Sequence, residues 1–192
     1  MSLPDGVLST TAEPFVFSGG RFLPVTKVVD YEMGGIDIND ASEGLLYQRW
    51  RAQLIRGQVI VDAPTVDPFV LIESADITEI SLTFDQNMRP ALAYVEAGTA
   101  KLRWYDSTIP GYDVISLPAG SITPRVAMDD KRAKQATISD IILAYVRSGS
   151  LYYRQQRDRF LIEYELSTGI TTGLIKIGMN NRLRFQFMLE LP

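Results

Sequence analysis

The chain contains no histidine and no cysteine among its 192 residues. Without histidine there is no imidazole general base, no Ser-His-Asp or Cys-His catalysis and no His-ligated metal. Without cysteine there are no disulfides, thiolate nucleophiles or Cys-ligated zinc, and the redox compartment stays open. Any catalysis would have to run on carboxylates or on a Lys or Tyr nucleophile. Long apolar runs are missing too: none reaches the roughly 18 residues of a spanning helix, so no membrane span is expected. The opening MSLPDGVLSTTAEP lacks the basic and apolar regions of a secretory signal, so none is expected there. A net charge of −4 supplies no global field toward nucleic acid or anionic lipid, and no nucleic-acid partner is expected. Hydrophobic and charged fractions of 46% and 22% are those of an ordinary globular chain, long enough to bury a sizeable core.

What is present is an internal repeat. The stretch IILAYVRSGSLYYRQQRDR (141–159) echoes ALAYVEAGTAKLRWYD (91–106) without a gap. Leu92, Ala93, Tyr94, Val95, Gly98 and Arg103 fall on Leu143, Ala144, Tyr145, Val146, Gly149 and Arg154. In each copy an apolar run meets a small-residue turn containing Gly, and a run rich in aromatic and basic residues leaves it, which predicts a β-hairpin. A strand-like run ending in Asp precedes each copy (ISLTFD, PRVAMD) and another follows it (YDVISL, FLIEYEL). The unit reads as about four strands in roughly 40 to 50 residues, the size of a propeller blade or a similar antiparallel module. The expected fold is all-β: antiparallel sheets from repeated four-stranded blade-like units, in a β-propeller-like or β-sandwich arrangement.

Residues 1–14 read as an N-terminal arm, 15–75 as an N-terminal β region and 76–192 as the repeat region. Within the last, the units cover about 80–117 and 124–166, with a closing hairpin at 174–191. FVFSGGRFLPVTKVVDYEM (15–33) predicts two short strands split at Ser18-Gly19-Gly20, and GGIDINDASEGL (34–45) a turn-rich loop. LLYQRWRAQLI (45–55) fits a helix or a strand. The Arg56-Gly57-Gln58 turn after it, leading into VIVDA, favours the strand. KRAKQATIS (131–139) reads as a polar surface insertion within the second unit.

Three groups of residues could carry chemistry. Asp37, Asn39 and Asp40 offer oxygen ligands but lack EF-hand spacing, and read as turn residues; no metal site and no cofactor is expected. Asp85 and Asp129 with Asp130 follow a strand at the same place in both units. They are turn residues or, on a hydrolase reading, a carboxylate pair whose separation nothing in the sequence sets. Arg103, Trp104 and Tyr105, with Arg147, Tyr152, Tyr153, Arg154, Arg157 and Arg159, form a basic–aromatic cluster. It suits a protein interface, the stacking of glycan rings on Trp104, Tyr105, Tyr152 and Tyr153, or plain cross-strand packing on a solvated sheet face.

The residues ITEISLTFDQNMRPALAYVEAGTAKLRWYD, PRVAMDDKR, SDIILAYVRSGSLYYRQQRDRF and IKIGMNNRLRFQF, with YEMGGIDINDASEGLLYQRW upstream, carry a resemblance. Over roughly 30–190 the chain resembles structural proteins of tailed-bacteriophage virions, tail or head–tail components of phages that infect Gram-negative bacteria. The resemblance implies a non-enzymatic virion part present in many copies around the tail axis. Its implied partners are other tail proteins and copies of itself, and it brings no catalytic residues. A host-surface glycan is the partner on the alternative reading.

Overall fold

Three hairpin turns set the scaffold, and all three have the same shape. Arg56-Gly57, Ala97-Gly98 and Ser148-Gly149 each place two consecutive residues at positive φ (51° and 79°, 47° and 75°, 50° and 77°). Two positive-φ residues in succession make the type I′ turn, whose twist matches the twist of the strands it joins. The computed structural model describes residues 15–18, 21–24, 27–37, 46–63, 66–85, 87, 89–129, 139–179 and 184–190, with side chains from Trp50 on, Met179 apart.

Around each turn lies a four-stranded antiparallel meander. Sheet I is β3 (Lys27–Asp37), β4 (Leu46–Ile55), β5 (Gln58–Ala63) and β6 (Val66–Glu73). Sheet II is β7 (Ile77–Phe84), β8 (Pro90–Glu96), β9 (Thr99–Asp106) and β10 (Gly111–Ser116). Sheet III is β11 (Ile122–Met128), β12 (Ile141–Arg147), β13 (Ser150–Gln155) and β14 (Tyr164–Thr168). Two hairpins flank them in sequence: β1 (Phe15–Ser18) with β2 (Arg21–Pro24), and β15 (Leu174–Met179) with β16 (Phe185–Leu189). A one-turn 3-10 helix (Gln156–Asp158) is the sole helical element among the described residues. The fold is all-β, and Leu46–Ile55 of the LLYQRWRAQLI stretch is a strand. The loop expected from Gly34 begins later than expected, because β3 runs on to Asp37. Asn39, Asp40, Asp130 and most of the 131–139 insertion lie outside the described residues.

The sheets stack face to face. Trp50, Ala52, Leu54, Val59 and Val61 of sheet I pack on Leu82, Phe84, Leu92 and Tyr94 of sheet II. The opposite face of sheet II, with Ala93, Leu102 and Trp104, packs on Val126, Leu143 and Tyr145 of sheet III. The far face of sheet III, with Ala144, Val146 and Leu151, packs on Leu174, Ile177 and the Phe185–Leu189 strand. Sheets II and III are thus covered on both faces, unlike the layers of a two-sheet sandwich. The boundary at residue 75 opens no gap in the core, since the first cluster spans it.

One rule generates the stack. The first strand of each sheet touches the first strand of the next (β3 with β7, β7 with β11, β11 with β15). The second strand of each touches that same neighbour (β4 with β7, β8 with β11, β12 with β15). Ala52, Ala93 and Ala144, all fully buried, occupy one position of these second strands and face forward along the stack. Their small side chains let the following strand come close. Polar ties repeat as well: the Val126 amide donates to Ser81 Oγ at 3.1 Å, and the Leu174 amide to Thr123 Oγ1 at 2.9 Å. Arg125 on β11 spans three layers, donating to Glu79 Oε2 (2.8 Å) and to the Ile175 carbonyl (2.8 Å).

Candidate functional site

The basic–aromatic residues come from the third strands and the loops after them, apart from Arg147, which ends β12. β13 follows the Ser148-Gly149 turn, so Tyr152 stands opposite Tyr145, and Tyr153 opposite Ala144 on one side and Tyr164 on the other. Tyr145 and Tyr152 stack with centroids 6.1 Å apart, and Tyr153 and Tyr164 at 4.9 Å. On β9, Tyr105 stands opposite Tyr112 and meets it edge to face at 5.4 Å. Each pair is a cross-strand aromatic contact of the kind that stabilises sheets by a few tenths to about 1 kcal/mol.

The arginines cover or clamp these rings. Arg147 lies over Tyr152 (4.6 Å), Arg103 over Tyr112 (3.7 Å) and Arg89 over Tyr105 (3.9 Å). The centre of the sheet III group is Glu163, delivered by the loop between β13 and β14. Its carboxylate accepts from Tyr145 Oη, from Arg147 and from Arg154 Nη2 at 3.3 Å. Arg154 also donates to Tyr145 Oη (2.9 Å) and to the Phe160 carbonyl (3.0 Å). Burial and then the adjacent carboxylate push the Tyr145 phenol well above its usual range, so it stays a donor. Burial alone would raise Glu163; the bonds from Tyr145 and Arg154 and the charge of Arg147 outweigh it and hold the acid below the ordinary carboxylate range. Both groups keep their ordinary charge states at neutral pH, the phenol donating and the carboxylate accepting.

Other pairs tie layers and loops together. Arg159 donates to Asp106 Oδ2 (Nε at 3.0 Å), joining the sheet III loop to the end of β9. A hydrogen bond from Thr108 hydroxyl heads the causes that lower the Asp106 pKa, with Arg159 adding to it. Arg157 pairs with Asp140 and, at 3.7 Å, with Asp129.

Trp104 is a correction to the glycan-stacking expectation. It is 2% exposed, packed edge to face on Phe160 with centroids 5.0 Å apart, and cannot meet a sugar. It lies on the Leu102 face of β9, which sheet III covers. Arg103, Tyr105, Tyr152, Tyr153 and Arg154 are half-buried, and Arg157 is exposed. The group is therefore not one surface: Arg103 and Tyr105 belong to sheet II, Arg147, Tyr152 and Arg154 to the clamp, and Tyr153 to the opposite face of sheet III.

The repeated aspartates act as turn residues. The Asp85 amide donates to the Arg89 carbonyl (2.9 Å) while its carboxylate accepts from the Asn87 and Arg89 amides (2.8 and 2.9 Å). Asp129 does the same with Asp140: amide to carbonyl at 2.9 Å, carboxylate from amide at 2.8 Å. Each closes the loop between the first and second strands of its sheet. Among the described residues no group of three or more Asp or Glu side chains could hold a metal ion. Sequence reasoning missed Glu163, Asp106 and Asp140. Only the spacing of acids to the Arg run could have suggested them.

In comparisons with family models, curated proteins and solved structures, nothing matches this chain.

Proposed function

We propose that the protein is a structural component of a tailed-phage virion, of the tail or head–tail region, that works without catalysis by multi-copy assembly with neighbouring subunits. The phage context is supported by the sequence resemblance alone. Assembly is supported by one observation: exposed apolar residues stand at matching places in successive sheets. The loops between third and fourth strands expose Ile109 in sheet II and Leu161 and Ile162 in sheet III. The fourth strands, each an open sheet edge among the described residues, expose Val70, Tyr112 with Val114, and Leu166 in turn. A row of open ladders flanked by apolar side chains is a template for pairing, and isolated soluble folds blunt such edges.

Light scattering behind size exclusion, across concentration, tests the reading. We expect reversible association or a ring of defined size, weakened by combining Ile109→Asp with Leu161→Asp. A strict monomer that binds a glycan array would overturn it.

A further inference from the structure

One separate two-stranded sheet, β1–β2, precedes sheet I in sequence, and another, β15–β16, follows sheet III. In every complete sheet the fourth strand leads directly into the first strand of the next: β6 to β7, β10 to β11, β14 to β15. β2 leads to β3 in the same way, across residues 25 and 26. The β1–β2 hairpin therefore has the place of a third and fourth strand preceding sheet I. The β15–β16 hairpin has the place of a first and second strand following sheet III. β15 also packs as a first strand should, on β11 and β12, with its Leu174 amide held by Thr123 as Val126 is held by Ser81.

Neither half is completed among the described residues. β1–β2 and β15–β16 are separate two-stranded sheets, and the outer ladder of β16 has no partner among the described residues. The outward face of that hairpin exposes Ile175 and Met188, the latter at 57%. We propose that β16 of one copy pairs with β1 of a second copy, forming a four-stranded sheet in the order β15-β16-β1-β2. The strand lengths are compatible, five residues in β16 and four in β1, and FVFS is a sequence rich in strand formers. Such added strands gain affinity from main-chain hydrogen bonds. The contact is head to tail, so its repetition closes a ring or runs on as a fibre. This inference rests on the assembly reading and states how the copies join.

The absence of cysteine allows a clean test in the full-length chain. Gln186→Cys is mixed with either Val16→Cys or Phe17→Cys, one chain carrying a size tag, and oxidised. Because successive residues point to opposite faces, disulfide-linked unequal dimers should form with one of the two partners and much less with the other. Phe17→Pro removes a donor on the open side of β1, since Ser18 and Arg21 close the two-residue hairpin and Val16 bonds inward to Leu23; it should abolish association with an unchanged far-ultraviolet spectrum. A disulfide formed within single chains of the Gln186→Cys/Val16→Cys or Gln186→Cys/Phe17→Cys double variant at high dilution, with no mixed dimer, would show self-closure and overturn the proposal. Association that persists in Phe17→Pro without cross-linking overturns this pairing and leaves the assembly reading standing. A monomer at every concentration removes both.

Discussion

Sheets II and III share a backbone plan and differ in the polar chemistry laid over it. Tyr94 and Tyr145 occupy one position, point toward the preceding sheet and are both buried. Beside Tyr94, Glu96 and Lys101 pair at 2.6 Å across the hairpin. At the matching places sheet III has Arg147 and Tyr152, a cation over a ring, and the missing acid arrives from outside the hairpin as Glu163. The cause is the longer crossing from third to fourth strand: residues 156–163 in sheet III against 107–110 in sheet II. That longer segment also seats Phe160, fully buried, against Trp104 of the neighbouring sheet. Apolar faces and turn glycines thus conserve the scaffold between copies, while a loop of a few extra residues rewires charge and locks two layers together.

This contrast can be broken at its strongest point first. Phe160→Ala removes a fully buried ring and should cost about 3–5 kcal/mol in urea unfolding. A loss near zero would mean that the sheet III loop does not hold the layers. Glu163→Gln leaves Arg147 and Arg154 without their shared carboxylate, and a loss of about 1–3 kcal/mol is expected. The matching change in sheet II, Glu96→Gln, breaks a partly exposed pair and should cost at most about 1 kcal/mol. Equal losses at the two sites would erase the distinction drawn between clamp and surface pair.

The same clamp has a pH signature. The folded-state pKa of Glu163 lies below its ordinary value of 4.5, so its stabilisation is complete above that value and fades as pH falls through the lowered folded pKa. Wild type and Glu163→Gln should therefore differ at neutral pH and converge in acid. Divergence toward low pH would reverse the sign and exclude this account. Among the turns, Gly98→Ala meets no atom within 4 Å and should show only the left-handed penalty, roughly 1–2 kcal/mol. Gly57→Ala also drives its Cβ to 2.9 Å from the Ser74 carbonyl oxygen, a backbone atom, and should lose more. The ranking of melting temperatures decides it.

Much of this scaffold is legible in the chain. Hairpin turns are local events, set by a Gly at positive φ between alternating runs, and the Ala97-Gly98 and Ser148-Gly149 turns stand out for that reason. The closing hairpin and the two repeat units follow the same logic. Sheet I escaped recognition as a repeat although its Arg56-Gly57 turn has the same geometry. Gln53 takes the place of Tyr94 and Tyr145 there, and only Ala52 and Gly57 persist at the matched positions. The basic–aromatic run was visible as composition, but its division among separate faces was not. Alternation sorts residues onto two faces without telling which face is covered, and in sheets II and III both are.

The sequence by itself determined that this is an antiparallel β protein of hairpin units, without histidine or cysteine chemistry, because strand alternation and turn conformation act over neighbouring residues. Only the tertiary structure decided that three such units stack in order, that Trp104 faces inward, that Glu163 reaches Tyr145, and that β15–β16 packs on sheet III as a separate two-stranded sheet. Those outcomes depend on which surfaces meet across separations of tens of residues, and no local rule carries that information.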